Sequence, residues 1–269
     1  MTRDDTDDIH DAQDAVRAWR AAPAGAVLLD GFHALKHALR FGARVRTVLV
    51  EDRAAALALG EELAGDIAER LDALAVEVGR ETLRGLVPRP HPTGVAALAE
   101  RPDRQANLAV LGGLPRRAPV VVLEEPRNLG NIGAVVRLAA GMGVTGVVTT
   151  GGADPWHPNA VRGGAGLHYA TAVERVTPDA LPSGPLYVLD PEGADIRATA
   201  IPDDALLAFG TERHGVSPEL RARADHLVAL PMRPQVSSYN LATSVAMALY
   251  HWSTGPRRGG VPPPCGSGG

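Results

Sequence analysis

Cysteine occurs once in this chain, as Cys265 in a Gly/Pro-rich stretch near the C-terminus. That excludes an internal disulfide, a CxxC redox pair and a cysteine-rich zinc site. Long apolar runs are missing as well, and none reaches the roughly 18 to 20 residues that a membrane span needs. Met1 to Asp14 is acidic and lacks the basic-then-apolar order of a secretory signal, so the cytoplasm is the expected compartment. Lysine is reduced to Lys36, which leaves nearly all positive charge to arginine, the residue whose planar fork grips phosphate in a bidentate way. Three catalytic signatures are absent too: the GxxxxGK[ST] phosphate loop, the GxSxG nucleophile elbow and HExxH. His33 and His37 stand at i, i+4 with no third ligand nearby, so no metal site is expected there.

What remains is ordinary for a globular protein: 45% hydrophobic and 22% charged residues, which excludes wholesale disorder. The net charge of −4 is unevenly spread. Residues 1–22 hold six Asp against three Arg, hence −3, leaving −1 for all the rest. Arg40, Arg44, Arg46 and Arg53 form one basic cluster, and Arg116 with Arg117 another.

The patterning predicts two α/β units. Residues 1–22 read as a polar arm, with at most one short helix. Residues 23–111 read as a smaller α/β domain, with a helix around His33 to Phe41, a strand Val45 to Val50, a helical region Ala54 to Leu74 and a strand Val95 to Leu98. Residues 112–118 are turn-rich and serve as a linker, and 119–254 form the second α/β domain. Within it Val120 to Leu123 is apolar throughout, as in a strand buried on both faces of a parallel sheet. Further strands are expected at Gly146 to Thr150, Leu186 to Asp190, Leu206 to Phe209 and Leu227 to Leu230, with helices at Ile132 to Met142 and Asn240 to Trp252. Ser217-Pro218 reads as a helix start, and residues 255–269 read as a disordered tail.

Gly141-Met-Gly143-Val-Thr-Gly146 matches the dinucleotide fingerprint but closes a helix and precedes a strand, the reverse of what pyrophosphate binding requires. It reads as a C-cap and tight turn. Three other segments carry more. Asn131-Ile-Gly133 with Arg137 follows the first strand of the second domain. Gly210-Thr-Glu212-Arg-His-Gly215 follows a later one. Leu230-Pro231-Met232 and Val236-Ser-Ser238-Tyr239-Asn240 lead into the last helix.

In order and spacing, these segments resemble the three signature motifs of the TrmH (SpoU) family in the SPOUT methyltransferase superfamily. The likeness is strong over residues 119–253. More loosely, the start of the first domain resembles the ribosomal-protein-like substrate domain of rRNA-modifying members. The resemblance implies a mainly parallel sheet tied in a deep trefoil knot, a homodimer and S-adenosylmethionine as cofactor. It implies methylation of an RNA ribose 2′-hydroxyl, with 23S rRNA favoured. The alternatives are tRNA, or an RNA-binding module of the same fold without catalysis. It assigns Asn131, Arg137, Glu212, Ser238 and Asn240 to catalysis. Leu189, Gly210, Leu230, Met232, Ser238 and Tyr239 would line the cofactor pocket, Tyr239 standing where the family usually has Leu. Arg40, Arg44, Arg46 and Arg162 would contact RNA.

Overall fold

The computed structural model describes residues 5–211 and 214–255. The chain opens with α1 (Asp5–Arg20), a helix of 16 residues rather than a short one. Its Ala15 and Trp19 pack against a small cluster formed by Leu49, Leu83, Val87 and Ala96, so burial of one apolar stripe holds an otherwise polar helix.

The first sheet combines β1 (Val27–Asp30), β2 (Val45–Val50), β3 (Ala75–Glu77) and β4 (Val95–Ala99), in the order β1-β4-β2-β3. Both partners of β4 run antiparallel to it, and β3 runs parallel to β2. Around them lie α2 (Phe32–Arg40), α3 (Arg53–Ala64), α4 (Ala68–Leu74) and α5 (Arg80–Leu86). The long helical stretch predicted after Ala54 is therefore two helices, separated by a 3₁₀ turn at Gly65–Ile67. On α2, Phe32, Leu35 and Leu39 recur at helical spacing and are fully buried.

Helix α6 (Arg104–Gly112) leads to the second sheet. Here β5 (Val120–Leu123), α7 (Leu129–Met142), β6 (Gly146–Thr149), α8 (Pro158–Gly163), β7 (Ala172–Arg175) and β8 (Leu186–Asp195) follow one another. They are succeeded by β9 (Leu206–Phe209), α9 (Pro218–Ala222), β10 (His226–Ala229) and α10 (Leu241–Thr254). The six strands, in the order β10-β8-β9-β5-β6-β7, are all parallel. Central β5 and β9 are buried along their whole length, as their uninterrupted apolar sequences require. Gly143 closes α7 in the left-handed conformation (φ 67°), the C-cap role read for that glycine.

Arg116, read from sequence as part of a basic cluster, is instead buried. Its guanidinium donates to the carbonyls of Ser183 (2.6 Å) and Asp204 (2.5 Å), and burial lowers its pKa. One hydrophobic cluster runs from Leu29 of β1 and Phe32 of α2 to Val121 of β5 and Ile132 of α7, so the two sheets share a core. Arg162 of α8 reinforces that junction, donating to buried Asp30 of β1 (2.8 Å) and to the Arg89 carbonyl (3.1 Å). Among the described residues no helix is long and apolar enough to cross a membrane.

Candidate active site

The chain leaves β5 toward β6 and β7 on one side, while β9, β8 and β10 lie on the other. In an open parallel sheet the crevice beyond the carboxyl ends of strands at such a reversal is where ligands bind. The two adjoining strands here are β5 and β9, and each is followed by one of the glycine-containing motifs. After β5, Asn128 caps α7, its Oδ1 accepting from the Asn131 amide at 3.1 Å. After β9, Gly210 enters a loop closed by paired backbone bonds between Thr211 and Gly215 (2.8 and 3.1 Å). A Cβ at Gly210 would lie 2.1 Å from the Gly215 carbonyl carbon, so only glycine permits that closure.

Asn131 and Asn240, 109 residues apart, meet directly: Asn240 Nδ2 donates to Asn131 Oδ1 at 3.1 Å. Asn240 is also the N-cap of α10, with its Oδ1 accepting from Ala242 N (2.9 Å) and Thr243 N (3.4 Å). One side chain thus caps a helix and ties the third motif to the first. The motif glycine Gly133 acts by packing. A Cβ there would sit 2.3 Å from the Ala160 carbonyl, so its absence lets α7 and α8 cross closely.

Beside this junction is a cavity of about 500 Å³. Leu189, Gly210, Leu230, Met232, Ser238 and Tyr239 all line it, together with Ser237, Ser244 and His214. The Tyr239 hydroxyl donates to the Pro231 carbonyl (2.9 Å), which pins the segment between β10 and α10. The shape of the cavity owes much to β8. Val188 pairs with Leu227, yet the next pair is Ala194 with Val228, so the intervening residues bulge out of the ladder. That bulge places Leu189, Asp190 and Glu192 on the cavity wall, where Arg221 pairs with both carboxylates at 3.3 and 2.5 Å. Gly193 allows the strand to return, since a Cβ there would meet the Val228 nitrogen at 2.3 Å. Sequence alone offered no sign of the bulge.

Arg137 projects from α7 and is exposed, with no ion pair among the described residues. Its charge reaches α2 beside the first sheet. His33 and Lys36 both have lowered pKa values, chiefly through burial and, for each, partly through repulsion by Arg137. Glu212 lies outside the described residues. Sequence reasoning assigned no role to Glu124, whose carboxylate accepts from Ser217 N (2.8 Å) and Oγ (2.5 Å) and so anchors the start of α9 beside the Gly210 loop.

Each arginine read as an RNA contact faces a carboxylate. Arg40 pairs with Asp66, Arg46 with Glu100 at 2.9 Å, Arg44 with Glu100 at 4.0 Å, and Arg162 with Asp30. Of the histidine pair, His37 donates Nδ1–H to the Ala165 carbonyl (2.8 Å), a packing role.

Residues 118–250 match the SpoU rRNA Methylase family. Over 247 residues the chain is 27% identical to the 23S rRNA (uridine(2479)-2′-O)-methyltransferase of Streptomyces viridochromogenes, a match covering 84% of this chain and 82% of that one. It is 24% identical over 238 residues to the 23S rRNA (guanosine(2553)-2′-O)-methyltransferase of Bacillus subtilis, covering 83% and 87%. The fold is shared with the crystal structure of the SpoU methyltransferase AviRb from Streptomyces viridochromogenes in complex with AdoMet. There the TM-score is 0.67 at 24% identity, over 89% of this chain and 95% of that one. Residues 118–250 of this chain belong to the SpoU rRNA Methylase family.

Proposed function

We propose that the protein methylates a ribose 2′-hydroxyl of 23S rRNA, with S-adenosylmethionine held in the cavity between β8, β9 and β10. The observation that carries this reading is the Asn240–Asn131 bond, which joins the cavity-lining third motif to the helix bearing Arg137. The 500 Å³ cavity has the size of a small-molecule site, and Leu189, Leu230 and Met232 give it the apolar wall such sites use. S-adenosylmethionine supplies an electrophilic methyl group. The residues of this chain must then align the ribose oxygen in line and ease the loss of its proton.

Arg137 is the cation of the site rather than its base, since a guanidinium presents only hydrogen-bond donors. Its role in this reading is to hold the neighbouring phosphate and stabilise the developing alkoxide. Asn131, Ser238, Asn240 and Glu212 orient the ribose and Arg137. Arg44, with its loose ion pair and a side chain 85% exposed, extends the RNA face of the first domain together with Arg40 and Arg46.

The same reading includes a homodimer, which the family resemblance implies. It also includes the trefoil knot, residues 23–111 as the substrate-binding domain and a cytoplasmic site of action. Relatives that cover most of this chain act on guanosine in one case and uridine in another, so the base is not part of the proposal.

The test is incubation of unmodified 23S rRNA and of tRNA with the protein and S-adenosylmethionine, followed by nucleoside analysis. A 2′-O-methylnucleoside from the 23S transcript is expected. A methylated base, or no product from either RNA, would overturn the reading.

A further inference from the structure

Between the two sheets lies a second cleft, of about 1050 Å³. One wall is the turn Pro88-Arg89-Pro90 with Asp30 beneath it, and the other is the turn Arg127–Gly130 with the start of α8. Asp30 is the sole carboxylate among the lining residues, and it is 7% exposed and matched by Arg162. The surplus charge is therefore positive. Arg89 and Arg127 are both exposed, and neither has an ion pair among the described residues. They differ in this from Arg40, Arg44 and Arg46, whose heads already face carboxylates. The amino end of α7, the positive end of its dipole, opens on the same cleft.

Position adds to charge. Asn128 lines the cleft and lies one helical turn before Asn131, which bonds Asn240 at the active-site junction. Arg127 also lines the adjoining cavity beside Thr211 and Ser217, so it stands where the cleft meets the Gly210 loop. The His157 ring lines the cleft as well, an aromatic surface of the kind on which unpaired bases stack.

We propose that this interdomain cleft holds the single-stranded RNA segment flanking the methylated nucleotide, with Arg89 and Arg127 on its phosphates. The proposal rests on the RNA methyltransferase reading and deepens it. A strand bound here passes from the first domain along the start of α7 to the ribose at Arg137. Both halves of the protein then grip one continuous piece of RNA.

The experiment compares wild type with Arg89→Ala/Arg127→Ala, measuring binding to 23S rRNA and to tRNA transcripts across a series of KCl concentrations. Phosphate contacts to a single strand appear as salt dependence, about 0.7 in the log–log slope for each charge neutralised. The double variant should lose about 1.4 from that slope and bind at least about tenfold more weakly, while its calorimetric affinity for S-adenosylmethionine stays unchanged. Arg89→Lys/Arg127→Lys should recover most of the slope. Arg84→Ala/Arg197→Ala, which removes two exposed, ion-paired arginines elsewhere, should not alter it. If wild type binds RNA and the Arg89/Arg127 double variant keeps its slope and affinity, the cleft assignment is wrong and the methyltransferase reading stands. If wild type binds neither RNA, that reading falls and takes the cleft assignment with it.

Discussion

Asn240 donates to Asn131 across 109 residues of chain while its carbonyl oxygen caps the last helix, so one side chain couples the stability of α10 to the geometry of the first motif. Each of its two jobs uses a different atom of the amide. That separation makes them independently testable.

Asn240→Ala should lose both functions. Removing an N-cap costs about 1 kcal/mol, and turnover should fall by at least tenfold as the motifs separate. Asn240→Asp keeps an oxygen for Ala242 N and Thr243 N but has no donor for Asn131. It should melt near the wild-type temperature and still be defective in methyl transfer. Equal activity in Asn240→Asp and wild type would show that the bond between the motifs is dispensable.

Arg137 carries no ion pair among the described residues, so its removal leaves no described carboxylate without its partner. Arg137→Ala should therefore fold normally, bind S-adenosylmethionine in a calorimetric titration and fail to methylate RNA. Turnover near wild type would remove Arg137 from the mechanism.

Gly210→Ala places a methyl group 2.1 Å from the Gly215 carbonyl carbon, against backbone that cannot yield cheaply. The expected cost is about 1–3 kcal/mol, with loss of cofactor binding as the cavity wall shifts. Gly141→Ala, a helix position with open space around it, serves as the control and should be neutral to mildly stabilising. Denaturant titration of both variants reads the difference.

His168 is fully buried against Trp156, and its Nε2–H donates to the Pro155 carbonyl at 3.0 Å. Burial pushes its pKa down to about 4 from an unfolded value of 6.5. Between those values the unfolded chain binds the extra proton, so stability falls as pH drops from about 6.5 to about 4 and this group adds nothing further below that. The full span is worth about 3 kcal/mol. Chemical denaturation at pH 7 and pH 5 should show the loss in wild type and a smaller one in His168→Gln. An identical pH dependence in the two proteins would assign it to other groups.

Local order was well encoded. Val120 to Leu123 was legible as a buried parallel strand and Leu206 to Phe209 as a strand because nothing polar interrupts them, and both occupy the centre of the second sheet. Asn131, Gly210 and Asn240 stood out through motif spacing. The β8 bulge did not, because no local pattern marks where a strand leaves its ladder, and Gly193 has a purpose only once Val228 lies against it. Arg116 was misread for the same reason. An arginine beside another arginine looks like surface until the carbonyls of Ser183 and Asp204 converge on it from 67 and 88 residues away.

By itself, then, the sequence determined the alternation of strands and helices, the caps and turns, and the order of the three motifs, since these depend on short-range hydrophobic periodicity and on side-chain bonding to nearby backbone. Only the tertiary structure decided which arginines are already paired with a carboxylate. Arg40, Arg46 and Arg162 are indistinguishable from Arg89 and Arg127 along the chain, and what separates them is whether folding brings a carboxylate within reach. Charge pairing is a contact between distant segments, and composition carries no record of it.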